Sequence, residues 1–179
     1  DGNHAGARFG FARTLWRQNR LDEARPAFEK SAELNPNHLP TTIGLGKTYL
    51  VQGDSDKAKA AFEHGLNLPP TNGRLIAMAK AGLGDIAHEQ GRFESALNWY
   101  GEARRLDENA PVDSRKLGDA LFHVGKIDEA QRQYSSAIKR DSRDVQASIG
   151  IGRTYMTQGE NKQAETAFKW AIGIDPTQA

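Results

Sequence analysis

Apolar, small and polar positions follow one another along this chain with helical spacing, and the same arrangement returns five times. Ala24, Ala58, Ala96, Ala130 and Ala164 are each followed four positions later by an aromatic residue: Phe28, Phe62, Tyr100, Tyr134 and Phe168. A separation of four puts alanine and ring on one face of a helix, where the pair can key into a neighbouring helix. The steps between units are 34, 38, 34 and 34 residues (24 to 58, 58 to 96, 96 to 130, 130 to 164), so four extra residues lie between the second and third units.

Two further columns complete each unit. An apolar residue precedes a small one at Phe11-Ala12, Leu45-Gly46, Leu83-Gly84, Leu117-Gly118 and Ile151-Gly152, which lets a first helix pack closely on its own second helix. Asn19, Gly53, Gly91, Gly125 and Gly159 then mark the change of helix, a place suited to a residue at positive φ. Pro36, Pro70 and Pro176 follow the second helices, which proline cannot continue, while Glu108 and Ser142 stand there in the third and fourth units. The four-residue insertion begins at Pro69-Pro70, after which Asn72 is placed to cap a helix running from Arg74 to Gln90, about one turn longer than its counterparts. The expected effect is a local change in repeat geometry.

The 34-residue period, with its apolar-Gly, Tyr, Ala, Phe and Pro positions, resembles the tetratricopeptide repeat (TPR) family from Ala5 to about Thr177. The resemblance implies an all-α, right-handed superhelical solenoid of five TPR helix-turn-helix units with a concave groove. The units fall at 5–38, 39–72, 73–110, 111–144 and 145–178, in a single array over 1–179. A longer copy also stands out: the segment from Ile43 to Leu50 returns as Ile149 to Met156 with conservative changes. Together with the start at Asp1, which is neither an initiator Met nor part of a basic-then-apolar leader, this block duplication reads as a fragment of a longer repeat protein.

Composition narrows the chemistry. With 26% charged and 37% apolar residues the chain suits stacked amphipathic helices. The 24 Lys+Arg nearly balance the 23 Asp+Glu, leaving +1 and no field that would draw the chain to nucleic acid. No apolar run approaches the ~20 residues of a membrane span, so direct membrane insertion is not expected. With no cysteine there is no disulfide framework, thiolate metal site or thiol nucleophile. A soluble chain in cytoplasm or periplasm fits, and composition does not separate the two.

Gly46-Lys47-Thr48 ends like a phosphate-binding P-loop, but Thr41 stands where that motif needs its first glycine, and the segment lies in a helix rather than after a strand. Gly44 and Gly46 are packing residues on this reading. Asp85, His88, Asp119 and His123 lie at corresponding faces of two first helices, a donor set suited to a zinc-like ion or, more simply, a polar patch. No catalytic elbow or loop places a Ser/His/Asp set, so no enzymatic activity, cofactor or metal is expected.

The groove implied by the family would be lined by the free faces of the first helices. These carry Phe9, Arg13, Trp16 and Arg17, then Ile43, Lys47 and Leu50, then Asp85 and His88, then Arg115, Asp119, Phe122 and His123, and last Arg153 and Met156. One position changes sign twice along the array: Arg13, Lys47, Asp85, Asp119, Arg153. A partner would match that order, with acidic and bulky apolar residues against the first two units and a basic residue against the third and fourth. The clamp by which one TPR subclass holds chaperone tails is not reproduced, since its places hold Phe9, Arg13, Gly44, Met78 and Gly82. The expected function is a scaffold or adaptor binding a peptide or partner helix. Self-association through the C-terminal end, where Trp170 and Ile174 lie on an apolar helix, is an alternative, as is a regulatory segment of a larger enzyme.

Overall fold

The computed structural model describes residues 4–69 and 72–175. Ten helices form among the described residues: α1 (Ala5–Arg17), α2 (Leu21–Leu34), α3 (Leu39–Val51), α4 (Ser55–Asn67), α5 (Gly73–Glu89), α6 (Phe93–Leu106), α7 (Ser114–His123), α8 (Ile127–Arg140), α9 (Val145–Thr157) and α10 (Asn161–Ile174). No strand occurs among the described residues. Pro70 and Pro176, read above as helix stops, lie outside them.

Each unit turns from first to second helix in the same way. Asn19 sits at φ 58° and Gly53, Gly91, Gly125 and Gly159 at 70–79°. This left-handed residue lets the next amide reach back to a carbonyl five residues earlier, as Arg20 N–H does to Leu15 O at 3.0 Å and Asp54 N–H to Tyr49 O at 2.9 Å. The carbonyls left over at the helix end are thereby satisfied. Side-chain caps begin several helices: Asp54 accepts from Lys57 N–H, Asp113 from Arg115 and Lys116 N–H, and Asp144 from Ala147 N–H. Asn72 caps the longest helix by accepting from Arg74 and Leu75 N–H at 3.0 and 3.2 Å.

The chain divides into two compact units, Asp1–Ile86 with Trp99–Pro111, and Ala87–Asn98 with Val112–Ala179. In the first, α1 packs on α2, α2 on α3 and α3 on α4. Its core holds Leu15, Phe28, Ile43, Phe62, Leu83 and Ile86, all buried, with Ala12, Ala24, Ala58 and Ala79 closing the helix contacts. In the second, α7 packs on α8, α8 on α9 and α9 on α10.

Both units use the same interior device. A ring from a second helix lies on glycines of the first helices beside it. Phe62 rests against Gly46 and Gly82, Tyr134 against Gly118 and Gly150, and Phe28, Tyr100 and Phe168 against Gly44, Gly84 and Gly152. A methyl at Gly46 would stand 2.5 Å from Phe62 Cε1, inside any real contact. These glycines therefore exist to admit the ring, and the Gly-Lys-Thr run is helical packing inside α3.

Candidate functional site

In the first unit α1, α3 and α5 enclose a cavity of about 470 Å³ lined by Phe9, Arg13, Trp16, Arg17, Phe28, Pro40, Ile43, Gly44, Lys47, Leu75 and Met78. A smaller one of about 220 Å³ adjoins it, sharing Trp16, Lys47 and Met78 and adding Leu50, Val51, Ala81, Asp85 and Pro111. Phe9, Arg13, Trp16, Arg17, Lys47 and Leu50, expected from the sequence to line a groove, thus meet around one concavity. Ile43, expected among them, belongs chiefly to the core at 2% exposure and only borders the cavity. Its side chain belongs to the buried cluster that holds Leu39 and Phe62.

Two of the cations here rest on rings. Arg13 lies 5.6 Å from the centre of the Phe9 ring, and the Lys47 ammonium 5.9 Å from that of Trp16. Burial pushes the Lys47 amine below the ordinary lysine value, and the charge of Asp85 only partly opposes this. Arg13, Arg17 and Lys47 form no ion pair among the described residues. The Trp16 indole N–H is buried and has no acceptor.

Pro40, Leu75 and Met78 also line the cavity and were not among the expected groove residues. Leu75 comes from the extra first turn of α5, so the insertion supplies a wall of the site. Met78 stands 38 residues after Pro40, the step that separates the second unit from the third, and this equivalence was the available signal.

The second unit handles its charges differently. Asp119 accepts from the Tyr134 hydroxyl at 2.8 Å, and Arg115 Nη1 stands 3.6 Å away. His88 Nε2 is 3.4 Å from Asp119, an ion-pair distance without the alignment of a hydrogen bond. Arg115 also approaches Asp144 at 3.9 Å, and Lys116 pairs with Glu89 at 3.2 Å. Burial alone would raise the Asp119 carboxyl, but its contacts with His88, Tyr134 and Arg115 prevail and hold it below the usual carboxylate range. Desolvation and the Asp119 charge push the Tyr134 phenol strongly upward.

His123 is stacked on Phe93, centroids 4.0 Å apart and planes 2° from parallel, and Arg153 covers Phe122 at 4.4 Å. Met156 is 59% exposed. Of the four residues considered for metal binding, Asp85 accepts from the Tyr100 hydroxyl, His123 is taken up by its ring stack, and only His88 and Asp119 adjoin each other. No group of three or more His, Cys, Asp or Glu suited to a metal occurs among the described residues.

A relation not seen in the sequence reading emerges from these contacts. The first-helix position 15 residues before each core ring is acidic where the ring is tyrosine, as in Asp85 with Tyr100 and Asp119 with Tyr134. It is cationic where the ring is phenylalanine: Arg13 with Phe28, Lys47 with Phe62, Arg153 with Phe168. A buried phenol needs an acceptor, and the carboxylate supplies it. The two aspartates are therefore engaged from within.

No helix of the described residues is long and apolar enough to cross a membrane. Tetratricopeptide repeat family models match residues 15–83, 77–102 and 115–179. Human Protein O-mannosyl-transferase TMTC2 is 30% identical over 99 residues, 54% of this chain and 12% of that protein. Human Tetratricopeptide repeat protein 7A is 28% identical over 92 residues, 51% of this chain and 11% of that protein. The chain thus spans a small part of either. Among solved structures, YrrB, described as a TPR protein with an unusual peptide-binding site, is 27% identical with a TM-score of 0.71, covering 99% of this chain and 90% of YrrB. The MamA protein, 23% identical with a TM-score of 0.69 over 99% of this chain and 95% of its own, shares the fold. With five ring-on-small-residue units and family matches over most of its length, the chain belongs to the tetratricopeptide repeat family.

Proposed function

We propose that this chain is a protein-binding module without catalysis of its own, and that it holds a peptide or helix of another protein on the face formed by α1, α3 and α5. The observation that carries this reading is the 470 Å³ cavity, where Phe9, Trp16, Leu75 and Met78 give apolar anchorage beside charged side chains. Apolar pockets with a few convergent polar groups are the usual form of a recognition site. The likeness to YrrB, a peptide-binding TPR protein by its description, supports the same use. Binding through desolvated aromatic anchors concentrates the free energy in few residues, a truncated tryptophan often costing ~2 kcal/mol or more. Trp16→Ala should therefore retain the helical circular dichroism of the parent chain and lose the partner in a pulldown. Lys59→Glu on α4 should leave capture unchanged. Retention of the partner by Trp16→Ala, with loss by Lys59→Glu, would place recognition on the second helices instead.

A second reading, self-association, has its own support. Trp170 is 57% exposed, Ile172 48% and Met156 59%, and shallow hollows of about 350 and 480 Å³ lie along α9 and α10. Ile174, named with Trp170 for this role, is partly buried. Light scattering over a concentration series, with Trp170→Glu as control, tests it: a mass that stays monomeric at every concentration removes this reading.

A further inference from the structure

We propose that the α1–α3–α5 cavity selects an acidic peptide, seating a bulky apolar side chain between Trp16 and Met78 while flanking Asp or Glu carboxylates pair with Lys47, Arg13 and Arg17. This rests on the groove reading above and names the chemistry of its ligand.

Several cations elsewhere in the molecule are answered by carboxylates: Arg20 by Glu23, Lys30 by Glu33, Lys57 by Asp54, Arg115 by Asp119 and Asp144, Lys116 by Glu89, while Arg153 rests on the Phe122 ring. Around this cavity Arg13, Arg17 and Lys47 gather with no carboxylate at ion-pair distance among the described residues, Asp85 reaching Lys47 only through its charge. Lys47 is half-buried, so its ammonium has already lost water, and its contact with the Trp16 ring replaces only part of that hydration. Asp85, the acidic side chain near it, is drawn to the Tyr100 hydroxyl at 2.9 Å. An incoming carboxylate would restore what the site lacks, in the geometry of a charge-assisted hydrogen bond.

The apolar half of the ligand follows from the lining. Phe9, Trp16, Ile43, Leu75 and Met78 surround a volume that a single Leu, Phe or Trp side chain fills in part, and thioether and indole both adapt to such a group. The buried, unpaired Trp16 N–H adds a donor that a backbone carbonyl of the ligand can meet after a small rotation of the ring. A nucleic-acid strand would match the cations, but the chain's charge balance and the aliphatic walls favour a peptide.

The test is to pan a randomised linear-peptide phage library against the immobilised chain, subtracting clones that also bind Trp16→Ala. Recovered peptides should combine Asp or Glu with Phe, Trp, Leu or Met, and the synthetic peptide of the best clone should weaken steeply with salt. Lys47→Gln should reduce its affinity by about tenfold, the equivalent of one charge-assisted hydrogen bond. Lys47→Arg should keep most of it, and circular dichroism establishes that each variant folds. Peptides enriched without acidic residues, or bound equally by Lys47→Gln and by an Arg13→Gln/Arg17→Gln variant, would overturn the carboxylate assignment while leaving the groove reading in place. Absence of any clone dependent on Trp16 would overturn both. A single-stranded oligothymidylate that binds through the same three cations more tightly than the selected peptide would assign the site to phosphates and end the proposal.

Discussion

Replacing Gly46 by alanine sets two effects of known size against each other. Alanine in a helix interior gains about 1 kcal/mol over glycine when nothing opposes it. At Gly46 the new methyl would meet three atoms of Phe62 at 2.5, 2.6 and 2.8 Å. The ring has no exposed surface and Gly82 lies against another edge, so it has nowhere to retreat. Overpacking of this kind costs about 1–3 kcal/mol, and a rigid aromatic held from two helices belongs at the upper end. The balance is a net loss of about 1–2 kcal/mol. Gly10, interior to α1 with nothing within 4 Å of its would-be methyl, supplies the control and should gain up to about 1 kcal/mol. Urea titrations followed by far-UV circular dichroism measure both, and Phe62→Leu in the Gly46→Ala background should cost less than it does alone. Equal stabilisation by Gly46→Ala and Gly10→Ala would mean that the ring is not gripped, and the account of the interior would fail with it.

The Asp119 carboxyl has a lowered pKa in the folded chain, so its contribution is complete above the unfolded value of ~3.9 and disappears as pH falls through the folded value. Asp119→Asn should cost about 1–2 kcal/mol near neutrality and little once the wild-type carboxyl is protonated, which paired denaturation curves across the acid range would show. At the turns, Gly53→Ala and Asn19→Ala should each lose about 1 kcal/mol because alanine resists positive φ, whereas Asn19→Gly should be close to neutral. A thermal-melt series ranks the three, and an unaffected Gly53→Ala would contradict the turn geometry.

Much of the architecture was legible because each repeat column answers to one physical demand. A residue at positive φ must be Gly or Asn, and a ring pressed on a backbone needs glycine beneath it. Both demands recur at a fixed spacing and so stand out from a single sequence. The site was harder. Helical periodicity placed Arg13, Trp16 and Lys47 on one face, but it gave Ile43 the same status although the ring of Phe62 draws that side chain inward. Leu75 escaped notice as a groove residue because it stands in the insertion, outside the columns that organised the reading. The hydroxyl partners of Asp85 and Asp119 were hidden for a different reason. Each was weighed by its own charge, whereas its partner is a hydroxyl 15 positions later whose burial only the packed structure reveals.

That pairing of ring and groove charge also limits how such a protein can be altered. Tyr100 and Tyr134 differ from Phe62 by one oxygen, yet that oxygen determines whether the surface position beside it bears a carboxylate or a cation. To turn Asp119 into lysine while Tyr134 remains would strand a phenol inside the core, and to turn Phe62 into tyrosine beneath Lys47 would do the same. A sign change at such a first-helix position therefore calls for a second substitution at the ring 15 residues later, one on the surface and one in the core. A programme to redirect binding has to recode both positions together, and a comparison of repeats that scores surface residues alone will mistake a packing constraint for a preference of the ligand.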